Sequence, residues 1–132
     1  MKIYGLIGKT LHHSFSARYF SDKFKTDEIE DAKYLNFELK DLDTELPPLK
    51  NNINIRGLNV TIPYKTEILP FLDELTDECR KVNACNCIKI AGTKWVGYNT
   101  DIVGFEKSFQ PFLKPYHKKA LILGTGGASN AV

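Results

Sequence analysis

Two segments of this sequence place a proton-exchanging side chain just past a strand-like run, at the start of a helix. Gly57-Leu58-Asn59-Val60-Thr61-Ile62-Pro63-Tyr64-Lys65 reads as a strand ending near Val60 and a helix opening at Pro63, since proline suits a first helical turn. Lys65 then falls in or near that turn, where the macrodipole disfavours a positive charge. That direction of effect favours loss of the proton, as a lysine requires if it is to exchange one with a substrate near neutral pH. The other reading of Lys65 is an ordinary solvated lysine. Gly97-Tyr98-Asn99-Thr100-Asp101-Ile102-Val103-Gly104 repeats the order of strand end, polar turn and helix start. Asp101 or Thr100 serves there as a helix cap, or Asp101 offers a carboxylate to the same crevice as Lys65.

A third segment, Gly5-Leu6-Ile7-Gly8 through His13-Ser14-Phe15-Ser16, runs from a strand through a glycine turn to two hydroxyls at a helix start. Hydroxyl donors and free backbone N–H groups at that positive end suit a carboxylate, although Ser16 also reads simply as an N-cap. In a parallel sheet the carboxyl ends of strands share one crevice, so Ser14, Thr61, Lys65, Asn86 and Asp101 are expected to converge there. His12 and His13 are adjacent, without acidic or cysteine partners at ligand spacing, so no metal site is expected.

The last segment, Ala120-Leu121-Ile122-Leu123-Gly124-Thr125-Gly126-Gly127-Ala128-Ser129, reads as a hydrophobic strand, a G-x-G-x-x-small turn and the start of a helix. This is the context of a dinucleotide fingerprint, in which glycines let backbone N–H groups approach a pyrophosphate at a helix N-terminus. The sequence stops inside the first turn of that helix, so this chain is not expected to hold a dinucleotide alone. The residue that would choose between NAD and NADP is expected about 20 positions further on.

The elements that must position these groups follow from apolar, β-branched runs alternating with helical stretches, the pattern of an α/β domain with a largely parallel sheet. Strands are expected near Ile3–Ile7, Tyr34–Glu38, Ile55–Val60, Cys85–Ile90, Lys94–Tyr98 and Ala120–Leu123. Helices are expected over Ala17–Phe24, where Tyr19, Phe20 and Phe24 share one-turn spacing, and over Pro63–Leu72, Leu75–Val82 and Ile102–Phe112. Leu46 to Asn52, with Pro47 and Pro48, reads as a loop, and Ala91-Gly92-Thr93 as a hairpin turn that puts one antiparallel pair in the sheet. A polar linker, Lys114 to Lys119, marks a domain boundary.

A chain of 132 residues with 42% hydrophobic content can bury one core. Eighteen Lys and Arg against 16 Asp and Glu are interspersed and net +2, which gives no nucleic-acid footprint. No apolar run approaches the roughly 20 residues needed to cross a bilayer, and no secretory h-region opens the chain. A cytoplasmic location is expected, with Cys79, Cys85 and Cys87 reduced and structural.

Together these segments resemble the shikimate dehydrogenase family across essentially the whole chain. The family's G-x-N-V-T-x-P-x-K stands as Gly57 to Lys65 and its N-T-D-x-x-G as Asn99 to Gly104. Ile7-Gly8 with His13 to Ser16 resembles its N-terminal signature, and Leu123 to Ser129 its cofactor loop. Ala17 stands where the family usually has proline, and Asn83-Ala84-Cys85-Asn86-Cys87 departs from its G-A-V-N-T.

The resemblance implies NADPH-dependent, reversible reduction of 3-dehydroshikimate to shikimate, a step toward chorismate and the aromatic amino acids, with NAD as a possible substitute cofactor. It implies that Ser14 and Ser16 bind the substrate carboxylate. Asn59, Thr61, Asn86 and Asp101 would hydrogen-bond the ring hydroxyls and Lys65, while Lys65 and Asp101 transfer the proton. Gly124, Gly126, Gly127 and Ala128 would meet the cofactor. The expected fold is α/β: a three-layer α/β/α substrate domain over residues 1–116 with a mostly parallel twisted sheet, then a truncated Rossmann-like start over 117–132. A small-molecule substrate is expected, with no nucleic-acid or membrane partner, and a monomer or homodimer. An uncovered stub strand favours self-association. The rivals are a dehydrogenase acting on quinate and a non-catalytic binding module of the same fold.

Overall fold

The computed structural model describes residues 1–132. Its strands are β1 (Lys2–Gly8), β2 (Ala32–Glu38), β3 (Ile55–Val60), β4 (Glu74–Leu75), β5 (Cys87–Ala91) and β6 (Lys94–Tyr98). Its helices are α1 (Ser16–Thr26), α2 (Leu42–Lys50), α3 (Tyr64–Glu67), α4 (Asp77–Val82) and α5 (Asp101–Phe109), with single 3₁₀ turns at Leu69–Phe71, Gln110–Phe112 and Ser129–Ala131. The six strands form one sheet in the order β2-β1-β3-β5-β6-β4.

Alternation along β1 divides the core into two faces, because successive side chains of a strand point to opposite sides of the sheet. Ile7 joins Ile55, Leu58, Val60, Ile88 and Trp95 under a cover made by Leu42 and Leu46 of α2, Tyr64 of α3, Ile68, and Cys79 of α4. Leu6 packs on the opposite face with Tyr34 and Leu11, beneath Ala17, Phe20 and Phe24 of α1. The result is three layers, α1 on one side and α2 to α4 on the other. Tyr19, expected on the packed side of α1, is exposed, because Ala17, Phe20 and Phe24 set its inward stripe.

The strand directions decide where the site lies. β1 is parallel to β2 and β3, and β4 to β6, but β3–β5 and β5–β6 are both antiparallel. There are therefore two antiparallel pairs rather than the expected one. β5 leaves the edge at which β1, β3 and β6 end, so the register aligns Leu6 with Asn59, Asn59 with Cys87, and Cys87 with Tyr98. Asn86 thus precedes its strand, and it reaches the common edge because β5 runs the other way.

Four further expectations are corrected. Leu46 to Lys50 is not a loop but the second half of α2, and the chain turns only at Asn51. Asp41 caps this helix by accepting from the Thr44 N–H at 3.1 Å, and burial of Leu42 and Leu46 at one-turn spacing holds it despite Pro47 and Pro48. Pro63–Leu72 is not one helix: α3 spans a single turn, and a 3₁₀ turn carrying Pro70 follows it. Leu75 belongs to β4, and Thr76 caps α4. Ala120–Leu123 forms no strand, since no strand of the sheet pairs with it, and Leu121 and Leu123 stand in solvent.

The three cysteines are free thiols. No three His, Cys, Asp or Glu side chains gather where they could hold a metal ion, and no helix is long and apolar enough to cross a membrane.

Candidate active site

The end of β3 leads into α3 and the end of β6 leads into α5, and these two turns bring Lys65 and Asp101 together. Lys65 Nζ donates to Asp101 Oδ2 at 2.7 Å, with the lysine side chain 16% and the aspartate 34% exposed. Asp101 is the first residue of α5, but it does not cap that helix with its side chain. Its second oxygen accepts from Asn86 Nδ2 at 2.7 Å. The one-turn α3 offers Lys65 little of the macrodipole that a long helix would have supplied. The group that faces the amine is instead a carboxylate.

Asn86 organises this corner. Besides Asp101, its Nδ2 donates to Thr100 Oγ1 at 2.9 Å, and its Oδ1 accepts from the Thr100 N–H at 2.9 Å. Its backbone carbonyl accepts from the Val60 N–H at 2.9 Å and from Asn59 Nδ2 at 3.4 Å. Asn99 is buried and fully paired, Nδ2 donating to the Ala84 carbonyl at 2.9 Å and Oδ1 accepting from the Asp101 N–H at 3.0 Å. Burial of a polar group without such partners would be costly, so Asn99 is held in one orientation and fixes the backbone of Asp101.

The two serines sit across the sheet edge, at the start of α1. Phe15 occupies the N-cap position without a side-chain cap bond, and Ser16 is the first helical residue. Ser14 Oγ accepts from the Ser16 N–H at 3.3 Å, so local capping falls to Ser14 and the reading of Ser16 as an N-cap alone does not hold. Burial pushes the Tyr34 phenol up to about 12, and the nearby Ser16 hydroxyl acts in the opposite direction. Tyr34 Oη in turn donates to Asn59 Oδ1 at 2.9 Å. Thr61 follows β3, its N–H bonded to the Ile7 carbonyl at 2.9 Å. A connected set therefore runs from Tyr34 through Asn59 and Asn86 to Asp101 and Lys65, whereas the serines make no direct bond to the ion pair.

The glycine loop lies near this set at one point. A Cβ on Gly127 would stand 3.0 Å from Lys65 Cβ and 3.4 Å from Ala84 Cβ, so the loop rests on the lysine's aliphatic stem. Gly124 has φ +133°, a conformation that side chains rarely adopt, and a Cβ on Gly124 or Gly126 would meet nothing within 4 Å. Open backbone of this kind fits the approach of a phosphate group. Ala128 is exposed next to it.

Sequence reasoning missed Tyr34, Asn99 and Thr100 as supports. Tyr34 looks like an ordinary strand aromatic, and nothing in its spacing marks the partner of its hydroxyl. Asn99 and Thr100 stand inside a motif that was read, but capping preferences alone do not reveal that Asn99 is buried.

The model of the shikimate dehydrogenase substrate binding domain family matches residues 6–88. The shikimate dehydrogenase (NADP(+)) of Pyrococcus abyssi is 40% identical over 132 residues, which cover 100% of this chain and 49% of the relative. Among solved structures, shikimate dehydrogenase 1 of Peptoclostridium difficile superposes with a TM-score of 0.88 at 38% identity, covering 99% of this chain and 49% of that one. Shikimate 5-dehydrogenase of Thermus thermophilus, solved in complex with NADP(H) and shikimate, gives 0.83 at 28% identity, covering 100% and 50%. The chain spans about half the length of the curated relatives it matches.

Proposed function

The chain belongs to the shikimate dehydrogenase family, through its substrate-binding domain, and we propose from this that it forms the substrate half of an enzyme interconverting shikimate and 3-dehydroshikimate with NADP(H). The observation that carries the reading is the 2.7 Å contact of Lys65 Nζ with Asp101 Oδ2, with Asn86 on the carboxylate's other oxygen. Residues 1–116 make up the substrate domain, and 117–132 begin the cofactor domain.

Ser14 and Ser16 receive the substrate carboxylate at the start of α1, and Asn59, Thr61 and Asn86 take the ring hydroxyls along the shared strand edge. Lys65 and Asp101 hold one exchangeable proton at the reacting oxygen. In the reducing direction that proton goes to the carbonyl oxygen as it becomes a hydroxyl, and in the oxidising direction the pair takes it back. Gly124, Gly126, Gly127 and Ala128 hold the dinucleotide, which when bound supplies or accepts the hydride at the same carbon. Removing a positioned acid-base group costs about 10²–10⁴ in rate.

The test uses the full-length enzyme carrying this chain, assayed by NADP reduction with shikimate and, in parallel arms, with quinate and with NAD. Lys65→Ala is expected to lose turnover by about a hundredfold or more while shikimate still binds in calorimetry. Normal turnover in that variant would overturn the mechanism. Faster turnover of quinate than of shikimate would reassign the substrate.

A further inference from the structure

Tyr34 is a buried residue of β2 whose polar end reaches the strand edge where the candidate site lies. Its ring stacks on Phe20 of α1, with centroids 4.6 Å apart and planes 12° off parallel. Its hydroxyl donates to Asn59 Oδ1 at 2.9 Å, and Asn59 Nδ2 donates to the Asn86 carbonyl at 3.4 Å. Burial holds the phenol protonated up to about 12, so the donor is present throughout the neutral range.

An asparagine amide has nearly the same shape in its two flipped orientations, and only its partners choose between them. A carbonyl oxygen can only accept, so the Asn86 carbonyl requires Nδ2 on its side. The Tyr34 hydroxyl then supplies the donor that Oδ1 needs on the other side. The Asn86 carbonyl thus selects the orientation, the Tyr34 hydroxyl, which can donate or accept, completes it, and the second Nδ2–H is left as a spare donor. Phe20 holds the phenol ring, and Phe20 lies one helical turn after Ser16 on α1. The helix start that offers hydroxyls and the strand end that offers an amide are thereby held in one geometry.

We propose that Tyr34 is a positioning residue of this site: by donating to Asn59 Oδ1 while stacked on Phe20, it holds in place the Asn59 amide that the Asn86 carbonyl orients as a donor toward a substrate ring oxygen. The substrate part of this statement rests on the function proposed above. The link between Tyr34 and Asn59 does not.

Tyr34→Phe keeps the ring and its stacking but leaves Asn59 Oδ1 without its donor. In the full-length enzyme, KM for shikimate is expected to rise about tenfold with kcat changed less than about threefold. On an Asn59→Ala background the same substitution is expected to add less than about twofold, because it acts through the residue already removed. An unchanged KM, or effects of the two substitutions that multiply independently, would overturn the proposal. In the ¹⁵N-labelled 132-residue chain, Tyr34→Phe is expected to shift the Asn59 side-chain amide signals, whatever ligand the site takes. If the wild-type enzyme turns over no shikimate, the functional reading falls alone. If the Asn59 signals stay in place, the positioning role falls.

Discussion

Both oxygens of Asp101 are engaged, one by the Lys65 amine and the other by the Asn86 amide, and Asn86 is itself held by Thr100. A carboxylate held on both sides keeps its orientation when a ligand arrives, as a group that must meet one oxygen atom of a small substrate requires. Lys65 and Asp101 were legible in the sequence because each follows a strong strand pattern beside a helix signal, whereas Asn86 precedes β5 and reaches the site only because that strand runs the other way. Tyr34 was not legible, since its role depends on which residue lies across the sheet. Titration at this scale also sets an alkaline limit. Burial pushes the Cys85 thiol from 9.0 up to about 12. Between those values the unfolded chain has lost the proton and the folded chain keeps it, so the folded state binds more protons and stability falls as pH rises. Urea unfolding from pH 8 to 11 is expected to show this decline, and Cys85→Ala, although less stable at pH 8, is expected to show a shallower one. Parallel declines in the two proteins would rule out Cys85 as a source.

At the scale of elements, the sequence misleads where local and tertiary preferences disagree. Pro47 and Pro48 lack the N–H groups that would reach Asp43 and Thr44, a strong local signal against helix. Yet α2 forms because Leu46 is 1% exposed within the main core and Leu42 lies one turn before it. Ala120 to Leu123 shows the converse: four apolar residues have high strand preference, but a strand forms only against a neighbour, and the sheet closes without them. The direction of β5 was equally hidden, since periodicity carries no information about which way a strand runs. Two leucines of identical chemistry separate these cases. Leu46→Ala in this chain is expected to cost about 2–5 kcal/mol, read as a lower urea midpoint at constant slope. Leu121→Ala is expected to change stability by less than about 0.5 kcal/mol, because its side chain is 83% exposed. Comparable losses in the two variants would mean that 120–123 is packed in solution.

At the scale of the molecule, exposed apolar side chains gather in one stretch of the chain. Charges of both signs are interspersed over the chain, while Phe112, Tyr116, Leu121 and Leu123 place large apolar side chains in solvent within one stretch near its end. A segment with exposed apolar groups and unpaired backbone N–H and C=O groups is a template for pairing with a second copy. A net charge of +2 on 132 residues provides weak self-repulsion, and less still near the pI of about 8.4. The 132-residue chain is therefore expected to associate reversibly in sedimentation velocity, with a mean mass that rises with concentration and rises further as pH approaches that pI. The double substitution Leu121→Lys with Leu123→Lys adds two charges to the same segment and touches neither core cluster. It is expected to leave the melting temperature unchanged and to return the chain to a monomer. Association that persists in that variant would place the contact elsewhere, and a clean monomer of the unsubstituted chain at high concentration would remove the premise that this stretch is sticky.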